Sequence, residues 1–318
     1  MAIDTIGTNA IANDAVTAAK IPAGAVDADI TAIPDGSVTN AKVASGISAS
    51  KLTGPLPAIS GANLTGISPP TYVGEMLITG GGGSGGSGLA GSYYGGAGGA
   101  GSCLHLMDMI FTTGEAVTVS AIGAGGTTNF SNSNQVGQAG GSTTVSVGNS
   151  GKTYTLAGGG RGAASGVGAT APGGGGSLNA TSGGAAASAF SDPSINRIVG
   201  PFAGSNYVTG GMSGGGGGAI GAGDGSGNGG AGYTSTISGS SVQYSQGGHK
   251  PSVAANTGYG SGGNGGRSTN LGSNGVQGVV IIRIPTASYS GTTSGSPTVT
   301  TSGNFTIITF TSTGSYTA

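Results

Sequence analysis

The sequence predicts a mainly β protein that also contains polyglycine-II helices and has essentially no α-helix. Three observations carry this reading. Glycine supplies 74 of the 318 residues while charged residues are only 6 %, against about 7 % glycine and about 25 % charge in an ordinary domain. Short β-type segments run straight into glycine, as in "LITGGGG", "SAIGAGG" and "TLAGGGR". No window carries the 3.6-residue apolar period of an amphipathic helix. Glycine- and serine-rich disorder usually brings high charge and few aliphatic side chains, whereas 35 % of this chain is hydrophobic. Collagen needs a sustained Gly-X-Y register and abundant proline; here proline is 12 and no such register runs.

The first 68 residues read as a fibrous, elongated shaft that also serves for attachment. Weak repeats stand at 15–21 ("AVTAAKI"), 25–30 ("AVDADI"), 37–43 ("SVTNAKV") and 46–52 ("GISASKL"). Ile11, Val16, Ile21 and Val26 sit five residues apart, as do Val38 and Val43, and Ile47 and Leu52. Five fits neither the helix nor the strand period. It suits an extended or coiling path with one apolar contact per unit. One chain cannot bury so thin a row, but three chains around an axis can. The row Val16, Ile21, Val26, Val38, Val43 and Leu52 is therefore expected to hold a homotrimer. Pro69-Pro70 marks a hinge or boundary.

Residues 69–285 read as a glycine-rich domain of β-strands and polyglycine helices. Strands are expected at 75–79, 103–111, 116–122, 142–147, 152–156 and 278–284, with glycine-rich runs between them, notably 172–177, 210–218, 221–232 and 258–266. Residues 286–318 form a C-terminal segment whose "SPTVTTSGNFTIITF" reads as a β-hairpin turning at "SGN". A glycine run in the three-residue helix has no internal hydrogen bonds. Its N–H and C=O groups must find partners in neighbouring runs. Only glycine lets backbones approach that closely, so many runs must pack side by side.

Charge and motifs narrow the chemistry. Nine basic against ten acidic residues leave a net charge of −1 and no basic patch, which argues against nucleic acid as a partner. No run of about 18 apolar residues suggests membrane insertion. The N-terminus lacks the basic and apolar regions of a signal peptide, and Cys103 has no partner for an intrachain disulfide. Gly151-Lys152-Thr153 resembles the tail of a P-loop, but Ser146 stands where that motif needs glycine, so a turn between strands is expected. "GAGDGSGNGG" offers one carboxylate, Asp224, where a calcium site needs several oxygens. His105 and His249 are the only histidines. They suggest no zinc spacing and no catalytic triad. Asp192 and Asp224 are the only acidic residues after Glu115, so paired carboxylates for glycoside hydrolysis are not expected either. The expectation is a protein that is not an enzyme and carries no metal or cofactor.

Binding remains. Aromatics stand in the segments between glycine runs. In 190–208, Phe190, Phe202 and Tyr207 alternate with Asn196, Arg197 and Asn206; in 242–250, Tyr244 is followed by His249 and Lys250. Each aromatic alone fits a cap filling the small core at a bundle end. A whole loop on a rigid scaffold fits recognition. Rings beside amides suit a saccharide or an outer-membrane protein, and Arg197 could fork onto an anionic sugar.

The order "MLITGGGGSGG", "FTTGEAVTVSAIGAGG", "GGSTTVSVGNSGKTYTLAGGGRG", "GGNGG…GVQGVVIIRIP" resembles the glycine-rich domain of bacteriophage tail fibres and tail-tip adhesins over roughly residues 72–285. "NDAVTAAKI" and "ISGANLTGI" are similar to the shaft repeats of tail fibres. The resemblance implies a phage tail fibre acting as receptor-binding protein, carried on the virion and extracellular after host lysis. It would join other tail proteins through its N-terminus and bind a host cell-surface glycan or outer-membrane protein. A structural virion component, such as a head fibre or decoration protein, is the alternative. A glycine-helix ice-binding protein would need a regular one-in-three glycine register, and the spacing here is irregular.

Overall fold

A computed structural model describes residues 69–88, 94–128, 134–148, 150–164, 168–177, 183–186, 198–199, 202–206, 213–267 and 271–318. The expected shaft row, Val16 to Leu52, lies outside these residues, as do Phe190, Asn196, Arg197 and Tyr207. The strands are β1 (Thr71–Thr79), β2 (Cys103–Thr112), β3 (Ala116–Ala121), β4 (Thr143–Val147), β5 (Lys152–Leu156), β6 (Ile198–Val199), β7 (Tyr233–Ser235), β8 (Val242–Tyr244), β9 (Val279–Pro285), β10 (Thr293–Ser294), β11 (Thr298–Ser302), β12 (Phe305–Phe310) and β13 (Gly314–Thr317). The one helical element among the described residues is a 3-10 turn at Thr286–Ser288. The protein is mainly β with essentially no helix, as expected.

Two sheets face each other. One has the order β11-β12-β9-β1-β2-β6 and the other β10-β13-β3-β4-β5; β7 and β8 form a separate hairpin. Alternation puts Met76 and Ile78 of β1, Leu104 and Leu106 of β2, and Val280, Ile282 and Ile284 of β9 on the inner face. Val117, Val119, Val145, Val147 and Tyr154 meet them from the second sheet. The opposite face of the first sheet presents Leu77, Cys103, Val279, Ile281 and Ile307, which pack with Ile237 and Tyr244 of the β7–β8 hairpin and its turn. Residues 286–318 are not appended to this body. β12 pairs with β9 and β13 with β3, so the C-terminal strands complete both sheets. The β11–β12 turn is made by Gly303 and Asn304, with Gly303 at φ +57°, a value that favours glycine.

Glycine runs continue the strands without a break. Run 80–88 leaves β1 and run 94–102 enters β2; the same pattern joins β3 to β4 and leads from β5 and into β9. Their hydrogen bonds repeat every third residue. Gly80, Gly83 and Gly86 donate to Ser102, Gly99 and Gly96; Gly81, Ser84 and Ser87 donate to Gly141, Gln138 and Gln135; Gly82 and Gly85 donate to Val276 and Ser273. The carbonyls of the same run accept from three further runs, through Gly159 and Gly162, Gly126, and Gly263 and Gly266. Run 80–88 is thus bonded to six neighbours. Run 94–102 has six as well, giving to the runs around 260–266, 157–163 and 214–217 and receiving from those at 80–86, Gly248 and Gly175.

Position in this array sets the composition. The enclosed runs read "GGGGSGGSG" and "GGAGGAGS". In the outer run 122–128, Gly123 and Gly126 are buried while Ala124 and Thr127 are exposed. Glycine is demanded only on the face that meets another backbone. Serine is admitted where its hydroxyl replaces a backbone group: Ser84 Oγ accepts from Gln138 N–H at 2.8 Å and Ser87 Oγ from Gln135 N–H at 2.6 Å.

Two outcomes follow for stability. A Cβ at Gly216 would overlap the Gly98 carbonyl oxygen and lie 2.7 Å from its carbon and 3.0 Å from Gly248 N. Gly216→Val should lower stability by about 1–3 kcal/mol for each buried group left unpaired, measured by denaturant unfolding, while Ser240→Val at an exposed site changes little. Tyr244 is 1 % exposed, so Tyr244→Ala should cost about 3–5 kcal/mol; an unchanged midpoint would contradict its place in the core.

Candidate functional site

The topology brings the described ends of several glycine runs together, remote from the sheets. The chain leaves the sheets at residues 80, 122 and 157, and re-enters them at 102, 142 and 278. The far ends of the runs are Gly88 and Tyr94, Thr128 and Asn134, Ala164 and Gly168, Ser177 and Gly183, Asn206 and Ser213, and Arg267 and Leu271. Contacts there join neighbouring runs. Asn134 N–H donates to Gly88 O at 2.9 Å, Ser177 Oγ to Ala164 O at 2.7 Å, and the Arg267 guanidinium lies 5.2 Å from the Tyr94 ring centre.

The two segments proposed for recognition are brought to either side of one turn. Phe202 and Asn206 begin and end run 202–206. That run bonds to residues 223–224 through Gly223 N–H to Ala203 O at 3.2 Å and Ser205 Oγ to Asp224 O at 2.5 Å. On the other side, Lys250 N–H donates to Gly227 O at 2.7 Å and Lys250 Nζ to Ser226 O at 3.3 Å. The intervening turn is closed by Asp224, whose carboxylate accepts from Ser226 N–H at 3.0 Å, Asn228 N–H at 2.8 Å and Asn228 Nδ2 at 2.8 Å. Phe202, Asn206, Asp224, Ser226 and Asn228 are exposed and Lys250 is half-buried. Asn206, Asp224, Ser226, Asn228 and Lys250 stand around this turn and offer amides, a hydroxyl, a carboxylate and an ammonium group, while exposed Phe202 starts the run at its other end, where its N–H donates to Gly218 O at 2.9 Å. Residues 221–230, a glycine-rich stretch in the sequence, thus hold an ordered turn. An Asp followed by Asn four residues on, inside a glycine run, was the available signal for an ordered one.

Two of the expected binding residues serve other ends. Tyr244 is inside the second apolar cluster rather than on a loop, because residues 242–244 form strand β8 against the sheet. His249 is fixed between runs: Nδ1 accepts from Gly229 N–H at 2.9 Å, Nε2 lies 3.0 Å from the Gln246 carboxamide, and its own N–H donates to Asn264 Oδ1 at 2.9 Å. Burial lowers its pKa; the nearby Asp224 charge opposes this and Lys250 adds to it. Asn206 Oδ1 is also engaged, accepting from Gly183 N–H at 2.9 Å.

A second polar group lies on the outer face of the first sheet. Arg283 Nη2 bonds Glu75 Oε1 at 2.6 Å, Glu75 Oε2 lies 3.3 Å from His105 Nε2, and His105 Nδ1 lies 2.9 Å from the Tyr233 hydroxyl. Arg283 also donates to Thr236 O at 3.3 Å. These bonds tie β1, β2 and β9 to the β7–β8 hairpin. His105 is the packed strand residue its alternation suggests, 3 % exposed. Gly151, at φ +62°, belongs to the β4–β5 turn, so Gly151-Lys152-Thr153 enters a strand rather than a phosphate-binding helix. Among the described residues no three of His, Cys, Asp and Glu are grouped to hold a metal ion.

Asp224 is drawn in two directions. Burial raises its pKa, but the Asn228 side chain, the Asn228 and Ser226 amides and the Lys250 charge together bring it below the usual carboxylate value. Its contribution to the turn should be present above that usual value and lost as pH falls through the lowered one. A carboxyl-carbon NMR titration should place the Asp224 midpoint below that of aspartate in an unstructured peptide; a midpoint above it would contradict these hydrogen bonds.

A comparison with curated proteins finds no match. A family model described as a glycine-rich domain matches residues 60–285, the span that holds the runs bonded to one another and the strands that feed them. The chain belongs to this glycine-rich domain family.

Proposed function

We propose that this protein is a bacteriophage tail fibre or tail-tip adhesin that binds the bacterial surface without catalysing a reaction. The glycine runs are polyglycine-II helices in side-by-side packing, and residues 1–68 form the shaft of a homotrimer that joins other tail proteins. The protein works on the virion and outside the cell after lysis. Its ligand is a host cell-surface glycan or outer-membrane protein.

The observation that carries this reading is the gathering of the described run ends remote from the sheets, beside a turn ringed by exposed hydrogen-bonding groups, with Phe202 exposed on the neighbouring run. Recognition is usually carried by loops on a rigid scaffold, and a ring beside amides is the usual chemistry of an adaptable contact surface. The three-residue repeat of the hydrogen bonds supports the helix assignment, since that helix has three residues per turn. Three modest sites on one fibre gain avidity without new contacts. The low charge makes adhesion weakly dependent on salt.

The test is adsorption of fluorescently labelled full-length chain to a panel of bacterial cells, with its mass measured by light scattering. A trimer that binds a subset of strains is expected. Phe202→Ala with Tyr207→Ala should reduce adsorption at least tenfold with an unchanged melting temperature. Failure to adsorb to any cell surface would overturn the adhesin reading in favour of a structural virion component, and a monomeric mass would overturn the shaft.

A further inference from the structure

We propose that His249 is a pH-sensitive clasp that holds Gly229 to the glycine array and lets it go when its ring is protonated. The argument starts from one hydrogen bond. Gly229 N–H points at His249 Nδ1 at 2.9 Å. A backbone amide can only donate, so Nδ1 must be the unprotonated nitrogen. The neutral ring then carries its proton on Nε2, beside the Gln246 carboxamide at 3.0 Å. A half-turn of that amide, a choice set by the hydrogen-bond network, presents its oxygen to Nε2–H.

Protonation removes this arrangement. A cationic imidazole has N–H at both nitrogens, so the proton on Nδ1 would face the Gly229 N–H donor. The His249 main chain is held in the array on both sides, its N–H by Asn264 Oδ1 at 2.9 Å and its C=O by Gly265 N–H at 2.9 Å. Gly229 is the part able to yield. Further along the same run the bonds are ordinary array bonds, Gly230 N–H to Gly216 O and Gly247 N–H to Gly230 O. The residue freed first is Gly229 itself, because the turn before it stays tied through Lys250 N–H to Gly227 O and Gly215 N–H to Asp224 O.

The charges facing the ring are Asp224 on the turn, Lys250 on its own run and, from the run 261–267, the neutral Asn264. Asp224 favours the cation while Lys250 and burial disfavour it, and the balance is a lowered pKa. The sign follows. The open state protonates near the usual value of about 6.5 and the closed state only at lower pH. The clasp is therefore fully closed above about 6.5 and weakens as pH falls from there to the lowered value. Below that it weakens no further.

The experiment is amide hydrogen exchange and NMR titration on the full chain, wild type and His249→Asn. Asparagine places an amide oxygen near the former Nδ1 and does not titrate. In wild type, the protection of Gly229, after correction for intrinsic rates, should fall by up to tenfold per pH unit below the usual histidine value, while that of Gly83 holds. In His249→Asn, Gly229 protection should not depend on pH in this window. The same pH dependence in both proteins, or none in wild type, would overturn the clasp. The ring itself gives a check that needs no variant. The nitrogen-15 shift of Nδ1 at neutral pH should be that of an unprotonated nitrogen, and a protonated Nδ1 there would overturn the proposal even if His249→Asn fails to fold. None of these readouts depends on whether the protein is an adhesin.

Discussion

The constraint on which this structure rests is that a buried backbone without a sheet must still pair every N–H and C=O. Run 80–88 meets it by bonding to six neighbours, with donors and acceptors pointing in successive directions every third residue. Each bond brings two backbones to about 2.9 Å between heavy atoms, and no Cβ fits between them. At Gly262, for example, a Cβ would meet the Gly98 carbonyl carbon at 2.7 Å and Gly248 N at 2.9 Å. Glycine content is the consequence of this geometry, and serines such as Ser84 and Ser87 enter where the hydroxyl takes over a backbone bond.

Such an array is costly to order. Fixing a backbone residue costs about 1–2 kcal/mol, while a hydrogen bond contributes about 0.5–1.5 net. The two sheets supply what the array lacks. Met76, Leu104, Ile282, Val145 and Tyr154 bury an ordinary apolar core, and the strands that carry them pass directly into glycine runs. Hairpins of the sheets and pairs of runs are the same chain excursions, so folding of one fixes the register of the other. It also fixes where the excursions turn. Runs that begin at a common pair of sheets and have similar lengths end together, which gathers otherwise unrelated run ends remote from the sheets.

Much of the β framework was legible because alternation and β-branched residues mark strands wherever the chain leaves glycine. β2, β3, β4, β5 and β9 fall within two residues of the expected segments; β1 begins four residues earlier, at Thr71, across a bulge near Gly74. The three-residue strands β7 and β8 were not legible, since "YTS" and "VQY" are too short for any period, and so Tyr244 was read as a loop aromatic rather than as core. The destination of the C-terminal strands was equally hidden: β12 finds β9 and β13 finds β3, pairings that follow from sheet closure and not from any local motif. Glycine runs announce that they pack, but not with whom. Gly81 pairs with Gly141 and Gly82 with Val276, and identical residues carry no information about partner choice. The surroundings of Asp224 are not legible in the sequence for that reason, because they exist only once runs 202–206, 221–230 and 245–250 are side by side.

The most direct test of this account is native-state hydrogen exchange resolved at single glycines of the full chain. Gly83 and Gly98 lie in the enclosed runs and donate to Gly99 and Gly263. The account predicts that their amides exchange only on global unfolding, as slowly as those of Ile78 and Ile282 in the sheets, while exposed turn glycines such as Gly303 exchange quickly. Random-coil exchange at Gly83 and Gly98 in a protein whose strands are protected would show that the glycine region is a linker between ordered strands, and would contradict the account.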